Sequence, residues 1–470
     1  MKKGILTAIC LLLAGLLVSC CVIRAEAPVP PAPPAPEQQQ EEPEQREQPE
    51  EPEEPEEPEQ PEQPEEPEEP EEPEEPEEPE EPEEPEEPEE PEEPEEPEEP
   101  EEPEEPEEPE EPEEPEQPES AEAVLARMTL REKVGQVIWI IPEQLAPDMA
   151  DRDIAGRSIT RVTAVTDEMV HTLEQYPAGG FVLFGGNVDT PAQLKAMTNR
   201  LRSACSVVPV ITVDEEGGRV VRIAGNPNFD VPRVGSMESL AAEGDPARVR
   251  TAAAQIGAYL TELGFNMDLA PVADMNTNPR NVVIGDRAFG SDPDTVTPMV
   301  RAYLEGLHSR GVKGVLKHFP GHGDTEADTH HGTVMVQKTW DELLSSELIP
   351  FIRNLDAADA VMVAHITLPN ATSDGLPASL SRELIQGRLR QELGYDGLIF
   401  TDSLSMGAVA NYYSSGRAAV LAFQAGNDVV LMPGNFVEAF ESLLSAVESG
   451  EISEARLDES VLRILRMKLG

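Results

Sequence analysis

From residue 136 onward, the chain alternates short apolar runs with longer stretches in which apolar residues recur every three to four positions. The short runs fall at 136–140, 180–184, 208–213, 265–271, 314–319, 360–366, 397–401 and 428–432. They are rich in Val, Ile, Leu and Phe, the pattern of strands covered on both faces. Between them, stretches such as 247–263, 295–310 and 381–393 carry the helical period. Eight strands alternating with helices predict a (β/α)8 TIM-type barrel; an open doubly wound sheet is the alternative, and the count of eight favours the barrel.

The first 120 residues follow neither period. Lys2 and Lys3 precede an apolar stretch from Ile5 to Val18, short for a membrane span and of the length of a signal peptide. It ends in Leu17-Val18-Ser19-Cys20, which resembles a bacterial lipobox and implies lipidation of Cys20; an ordinary secretory signal cleaved near Ala25 or Ala27 is the other option. Glu-Glu-Pro then repeats to Glu119 with occasional Gln. A period of three with no apolar face builds no core, and proline at every third position forbids a helix. The expectation is a disordered, extended, polyproline-like stalk reaching on the order of 250 Å at roughly 3.1 Å per residue. The chain therefore divides into a signal peptide (1–19), a stalk (20–119) and one barrel domain (120–470).

This division changes the reading of the charge. The formal net charge is -61, but residues 37–119 hold 49 Glu and one Arg, and so contribute -48. From Ser120 onward, 45 acidic residues face 30 basic ones. That is an ordinary acidic domain, and it argues against a nucleic-acid partner, which needs a basic surface. Among the four cysteines, Cys205 alone falls within the barrel, so no disulfide framework is expected there.

The polar residues that interrupt this pattern cluster where the strands end. The third strand runs into Asp214-Glu215-Glu216-Gly217-Gly218-Arg219. The fourth ends near Asp268, followed by Ile284-Gly285-Asp286-Arg287. The fifth runs through Lys317-His318-Phe319-Pro320-Gly321-His322-Gly323-Asp324 to Asp328-Thr329-His330-His331. The sixth ends at His365 and the seventh at Thr401-Asp402-Ser403. In a (β/α)8 barrel, the C-terminal ends of the strands carry the active site. Asp402 suits a nucleophile held on a rigid strand end, although a helix N-cap is its bland alternative. Asp328 and His330, two apart, allow a carboxylate to fix one imidazole nitrogen and leave the other for proton transfer. His318 and His322 have the i, i+4 spacing of metal ligands, but Pro320, Gly321 and Gly323 oppose a helix there. Neither metal nor cofactor is expected.

These motifs resemble glycoside hydrolase family 3 in its N-acetylglucosaminidase branch. Met128 to Gln136 looks like the family's opening segment; Asp214 to Arg222, Lys317 to His330 and Thr401 to Met406 resemble its site segments. The chain departs from the usual pattern in having Thr329 for Ser, Val334-Met335 for Leu-Pro, and Thr-Asp-Ser-Leu for Ser-Asp-Asp-Leu at the nucleophile. The resemblance implies a retaining β-N-acetylhexosaminidase that releases terminal N-acetylglucosamine from peptidoglycan fragments or related glycans. It implies Asp402 as nucleophile, His330 as acid/base with Asp328 as partner, and Asp214, Arg222, Arg287, Lys317 and His318 as sugar-binding residues. A family 3 phosphorylase or β-glucosidase, and a non-catalytic glycan-binding lipoprotein, remain alternatives. The expected partners are a carbohydrate and, through Cys20, a membrane of the cell envelope, with a monomeric catalytic domain.

Overall fold

The computed structural model describes residues 119–469 apart from Asp151, Asp153, 155–160 and Ala327. The signal peptide, Cys20 and nearly all of the stalk lie outside the described residues.

All eight expected strands form, and all pair in parallel. They are β1 (Ile138–Ile140), β2 (Gly180–Leu183), β3 (Val210–Val213), β4 (Met267–Asp268), β5 (Lys313–Phe319), β6 (Ala360–Val363), β7 (Leu398–Thr401) and β8 (Val430–Leu431). Each pairs with the next from β1 to β7, and β1 also pairs with β8 through Ile138 and Val430. A bridge between Phe400 and Val429, with Thr401 Oγ1 accepting from the Leu431 amide at 3.1 Å, joins β7 to β8 and closes the ring. Strand residues are buried on both faces, as the uninterrupted apolar runs require. No helix among the described residues is long and apolar enough to cross a membrane.

Several strands are shorter than the apolar runs, for local reasons. Gln136 ends the helix Leu130–Gln136 instead of starting β1, because Thr129 and Glu132 form a capping box that nucleates that helix. β4 is brief because Pro271 lacks an amide; its neighbours stay connected by Leu269 to Val213 and Val315 to Ala270 hydrogen bonds. β6 stops at Val363, and Ile366–Thr367 diverges to pair with Val334–Met335. The expected helices appear at Pro246–Glu262, Pro293–His308 and Glu383–Glu392, the last wound in the wider i to i+5 form.

The end of the barrel opposite the strand C-termini is fastened by one carboxylate. Asp428, fully buried ahead of β8, bonds Arg390, accepts from the Ser460 hydroxyl at 2.6 Å and from the Ile399 amide at 3.0 Å, and lies 3.3 Å from Arg463. It thereby ties the C-terminal helix Glu454–Leu469 to β7 and β8. Deleting one partner from such a cluster leaves uncompensated charge in a dry place. Asp428→Ala is therefore expected to lower stability by about 3–5 kcal/mol, measured as the shift of the urea unfolding midpoint of the barrel domain.

Candidate active site

The residues singled out at the strand ends line one cavity of about 390 Å³ at the C-terminal mouth of the barrel. Asp214, Arg222, Arg287, Lys317, His318, Asp328, His330 and Asp402 all face it.

One wall is an array of alternating charge. Lys317, on β5 and 1 % exposed, directs its ammonium to Asp214 Oδ1 at 2.7 Å and to Glu216 Oε1 at 2.6 Å. Arg287 grips Glu216 with two parallel bonds of 2.8 and 2.7 Å. Arg222 lies 3.7 Å from Asp214 Oδ2, and its guanidinium sits over the Phe184 ring. Burial alone would raise the Glu216 carboxyl, but Arg287 and Lys317 overcome that and hold it well below its usual range. Burial would likewise depress Lys317, yet Asp214 and Glu216 keep its pKa raised and the ammonium charged.

Beneath this wall, Glu215 acts on backbone. Its carboxylate accepts from the amides of Arg222, Ile223 and Ala224 at 2.6, 2.9 and 2.8 Å, and from the Tyr259 hydroxyl at 2.9 Å. It thus shapes the loop that carries Arg222. Arg219 donates to the carbonyls of Val282, Val283 and Ile284, holding the loop that leads into Arg287. Asp268, at the end of β4, is a different kind of carboxyl. It accepts from the Glu215 amide at 3.0 Å, while its other oxygen has no partner, and burial pushes its pKa well above the ordinary value.

A second wall carries imidazoles. Asp274, wholly buried, accepts from His318 Nδ1 at 2.7 Å and from the amides of His318 and His322. Burial favours its neutral form, but His318 and these hydrogen bonds hold its pKa below normal. This fixes the His318 ring with its other nitrogen free for the cavity. The same loop explains Gly323: a Cβ there would fall 1.7 Å from the Met275 carbonyl oxygen, so only glycine lets the loop rest on the segment after β4. The rings of His318 and His322 stand 5.9 Å apart, and His318 already serves Asp274.

The third group comprises Asp402 and the Asp328–His330 pair. Asp402 follows β7; its amide donates to Val363 O at 2.9 Å and its carboxylate accepts from the Ser403 amide at 2.8 Å. Enclosure would raise its pKa, but His365, His318 and the Ser403 amide outweigh this and keep the carboxyl below its usual value. His365 is fully buried; burial lowers its pKa, while Asp402 and the Ser403 carbonyl oppose that shift. Its Nε2 donates to the Ser403 carbonyl at 2.8 Å, and Nδ1 lies 2.6 Å from the Ser379 hydroxyl. Asp328 Oδ1 accepts from His330 Nδ1 at 2.7 Å and from the His330 amide at 2.9 Å. The His330 side chain is 64 % exposed and its Nε2 is left free.

Residues 129–467 match the family model for the glycosyl hydrolase family 3 N-terminal domain. The chain belongs to glycosyl hydrolase family 3. Similar proteins include a β-hexosaminidase A from Pseudoalteromonas piscicida, 34 % identical over 67 % of this chain and 57 % of that protein. A β-hexosaminidase from Nitrosomonas eutropha is 36 % identical over 66 % of this chain and 89 % of its own. Among solved structures, a family 3 β-N-acetylglucosaminidase from Paenibacillus sp. str. FPU-7 superposes with a TM-score of 0.65 at 37 % identity, covering 73 % of this chain and 62 % of the other. The chain thus spans between about half and nine tenths of the length of these relatives.

All eight residues expected at the site come together on this family 3 barrel. Sequence reasoning named His365 only as the polar end of the sixth strand and did not name Asp274, and it gave neither a role. Their signal was present but faint: Asp274 follows an apolar run containing Pro271, and His365 interrupts one.

A direct consequence concerns Glu216. Glu216→Gln keeps the shape but leaves Lys317 and Arg287 short of a buried counter-charge, and is expected to destabilise the domain by about 3–5 kcal/mol, read as a lowered urea midpoint. The carboxyls of Glu216 and Asp274 are depressed in the folded state, so their stabilisation is complete above the unfolded carboxylate values. It is lost as pH falls below about 4, and that acid limb should be visibly shallower in Glu216→Gln when melting temperature is followed against pH.

Proposed function

We propose that this protein is a retaining β-N-acetylhexosaminidase that releases terminal β-linked N-acetylglucosamine from peptidoglycan fragments or related glycans. The observation that carries the reading is the Asp328–His330 pair opening on the same cavity as Asp402. Retaining hydrolysis needs a nucleophile on one face of the sugar and a proton donor on the other. Asp402, ionised at neutral pH, attacks the anomeric carbon and forms a covalent glycosyl ester. His330 protonates the departing oxygen through Nε2, because Nδ1 is committed to Asp328. In the second half-reaction, neutral His330 takes a proton from water, which displaces Asp402. Asp214, Arg222, Arg287, Lys317 and His318 hold the sugar hydroxyls through charge-assisted hydrogen bonds. The names of the relatives support the N-acetyl sugar; a higher rate on aryl β-N-acetylglucosaminide than on aryl β-glucoside is the expected result, and the reverse would sink it. Product made only when phosphate is supplied would instead assign a phosphorylase.

The role assignment has its own test. Asp402→Ala should be nearly inactive on every substrate. His330→Ala should lose about 10²–10⁴-fold on a natural disaccharide, but far less in glycosylation by a dinitrophenyl glycoside, whose leaving group departs without a proton. Asp328→Ala should follow His330→Ala in weaker form.

We further propose that Cys20 carries a lipid and that the Glu-Pro stretch holds the barrel away from a membrane of the cell envelope. Leu17-Val18-Ser19-Cys20 and the coreless three-residue repeat support this. Cys20→Ala should move the protein out of the membrane fraction, and removal of residues 50–119 should leave melting temperature and turnover of the barrel unchanged.

A further inference from the structure

The acid/base pair sits on an exposed loop, whereas Asp402 sits in a frame. The frame is the segment after β7. Beyond the Asp402 amide, Leu404 donates to Leu431 O at 3.0 Å and Ser405 to Met432 O at 3.1 Å, so 402–405 is bonded to the ends of both β6 and β8. The segment then starts the helix Gly407–Ala410. At that point it takes hold of the loop: the Gly407 amide donates to His330 O at 3.2 Å and the Ala408 amide to Thr329 O at 3.0 Å. Two residues at a helix start, whose amides have no partner within the helix, thus bond the backbone of the two residues that bear the imidazole and its neighbour. Thr333 adds a hydroxyl bond to Tyr412 at 3.1 Å. From the other side, the buried Thr329 hydroxyl lies 3.4 Å from His322 Nε2.

We propose that Gly407 is a positioning residue, and that the close approach it permits sets where His330 stands relative to Asp402. This rests on the roles given above to His330 and Asp402. A Cβ at Gly407 would lie 2.8 Å from the His330 carbonyl oxygen and 3.2 Å from the His331 carbonyl carbon. Both are backbone atoms that do not rotate out of the way. Gly407 has no positive φ, so the backbone itself accepts alanine and the contact alone demands glycine. Adding one methyl group therefore pushes the loop carrying the acid/base outward, while the bonds holding Asp402, made by residues 402–405, stay in place. The prediction is a specific one: the nucleophile remains functional and the proton donor is displaced.

Thr329 provides a second handle on the same latch. Its side chain enters the loop's buried underside, so removing the hydroxyl loosens the loop from His322 without touching residue 407.

The test uses the barrel protein in wild-type, Gly407→Ala, Thr329→Val, Thr329→Ser and His330→Ala forms. Each is assayed on an N-acetylglucosaminyl disaccharide and, for glycosylation, on the dinitrophenyl β-N-acetylglucosaminide. Gly407→Ala is expected to lose about 10- to 100-fold on the disaccharide, the scale of a misplacement near 1 Å, and only a few-fold on the dinitrophenyl substrate. Thr329→Val should show the same imbalance in weaker form, and Thr329→Ser, which keeps the hydroxyl, should behave as wild type. Melting temperatures within a few degrees of wild type are expected for all. Gly407→Ala activity equal to wild type, or equal losses on both substrates, overturns the proposal; if that variant does not fold, equal losses in Thr329→Val do so. His330→Ala is the separate control: if it lacks the leaving-group imbalance, the assignment of His330 fails, whereas an imbalance there without one in Gly407→Ala removes only the positioning role.

Discussion

The Lys317 ammonium, shared between Asp214 and Glu216 in a place that excludes water, is the interaction on which the site depends. A lone lysine with that burial would lose its proton, and a lone Glu216 would gain one. Together with Arg287, which grips the far side of Glu216, they stay charged, and so two strand ends and a long loop must meet in one geometry. Breaking any member strands the others. This explains why the array is built from the rigid ends of β3 and β5, with Arg287 brought in by a loop that Arg219 binds at three successive carbonyls.

The carboxyls of the mouth then divide by environment. Glu216, Asp274 and Asp402 are each drawn below their ordinary values by cations or hydrogen-bond donors, whereas Asp268, with one oxygen unpaired among apolar and acidic neighbours, is driven the other way. Carboxyls therefore serve as a counter-ion, an imidazole orienter, a candidate nucleophile and, in Asp268, an acceptor whose pKa is driven upward, within one barrel end. What separates these states is the charge around each carboxyl: Arg287 and Lys317 beside Glu216, His318 beside Asp274, His365 and His318 beside Asp402, but burial with Glu215 and Asp214 beside Asp268.

Much of this was legible in the sequence, because buried parallel strands write themselves as apolar runs and strand ends as sudden charge. All eight strands appear where those runs lie, and the eight site residues share one cavity. The boundaries were less legible. A run of apolar residues does not reveal that Gln136 is captured by a capping box or that β6 gives up Ile366 to a separate pair with Val334. The roles of supports such as Asp274 and His365 were not legible for a related reason: they come from partners 44 and 38 positions away, although His365 itself stood out at the end of an apolar run.

The same geometry explains why the departures from the family pattern are tolerated. At the Asp402 segment, Ser403 stands in place of an acidic residue, yet Asp402 is held by the Ser403 amide and by Val363 O, which do not depend on the side chain at 403. The Ser403 hydroxyl turns instead to Ser405 at 2.8 Å, and its carbonyl is taken by His365. Val334-Met335, in place of a proline-bearing pair, forms two strand positions against Ile366–Thr367, with Met335 exposed. Thr329 keeps a hydroxyl where serine is usual, and its added methyl is housed under the loop at 2 % exposure. At 329 and 403 the position supplies a hydroxyl or backbone groups, and the replacement preserves them; there the substitutions change side chains at points where the fold reads the main chain or the hydroxyl.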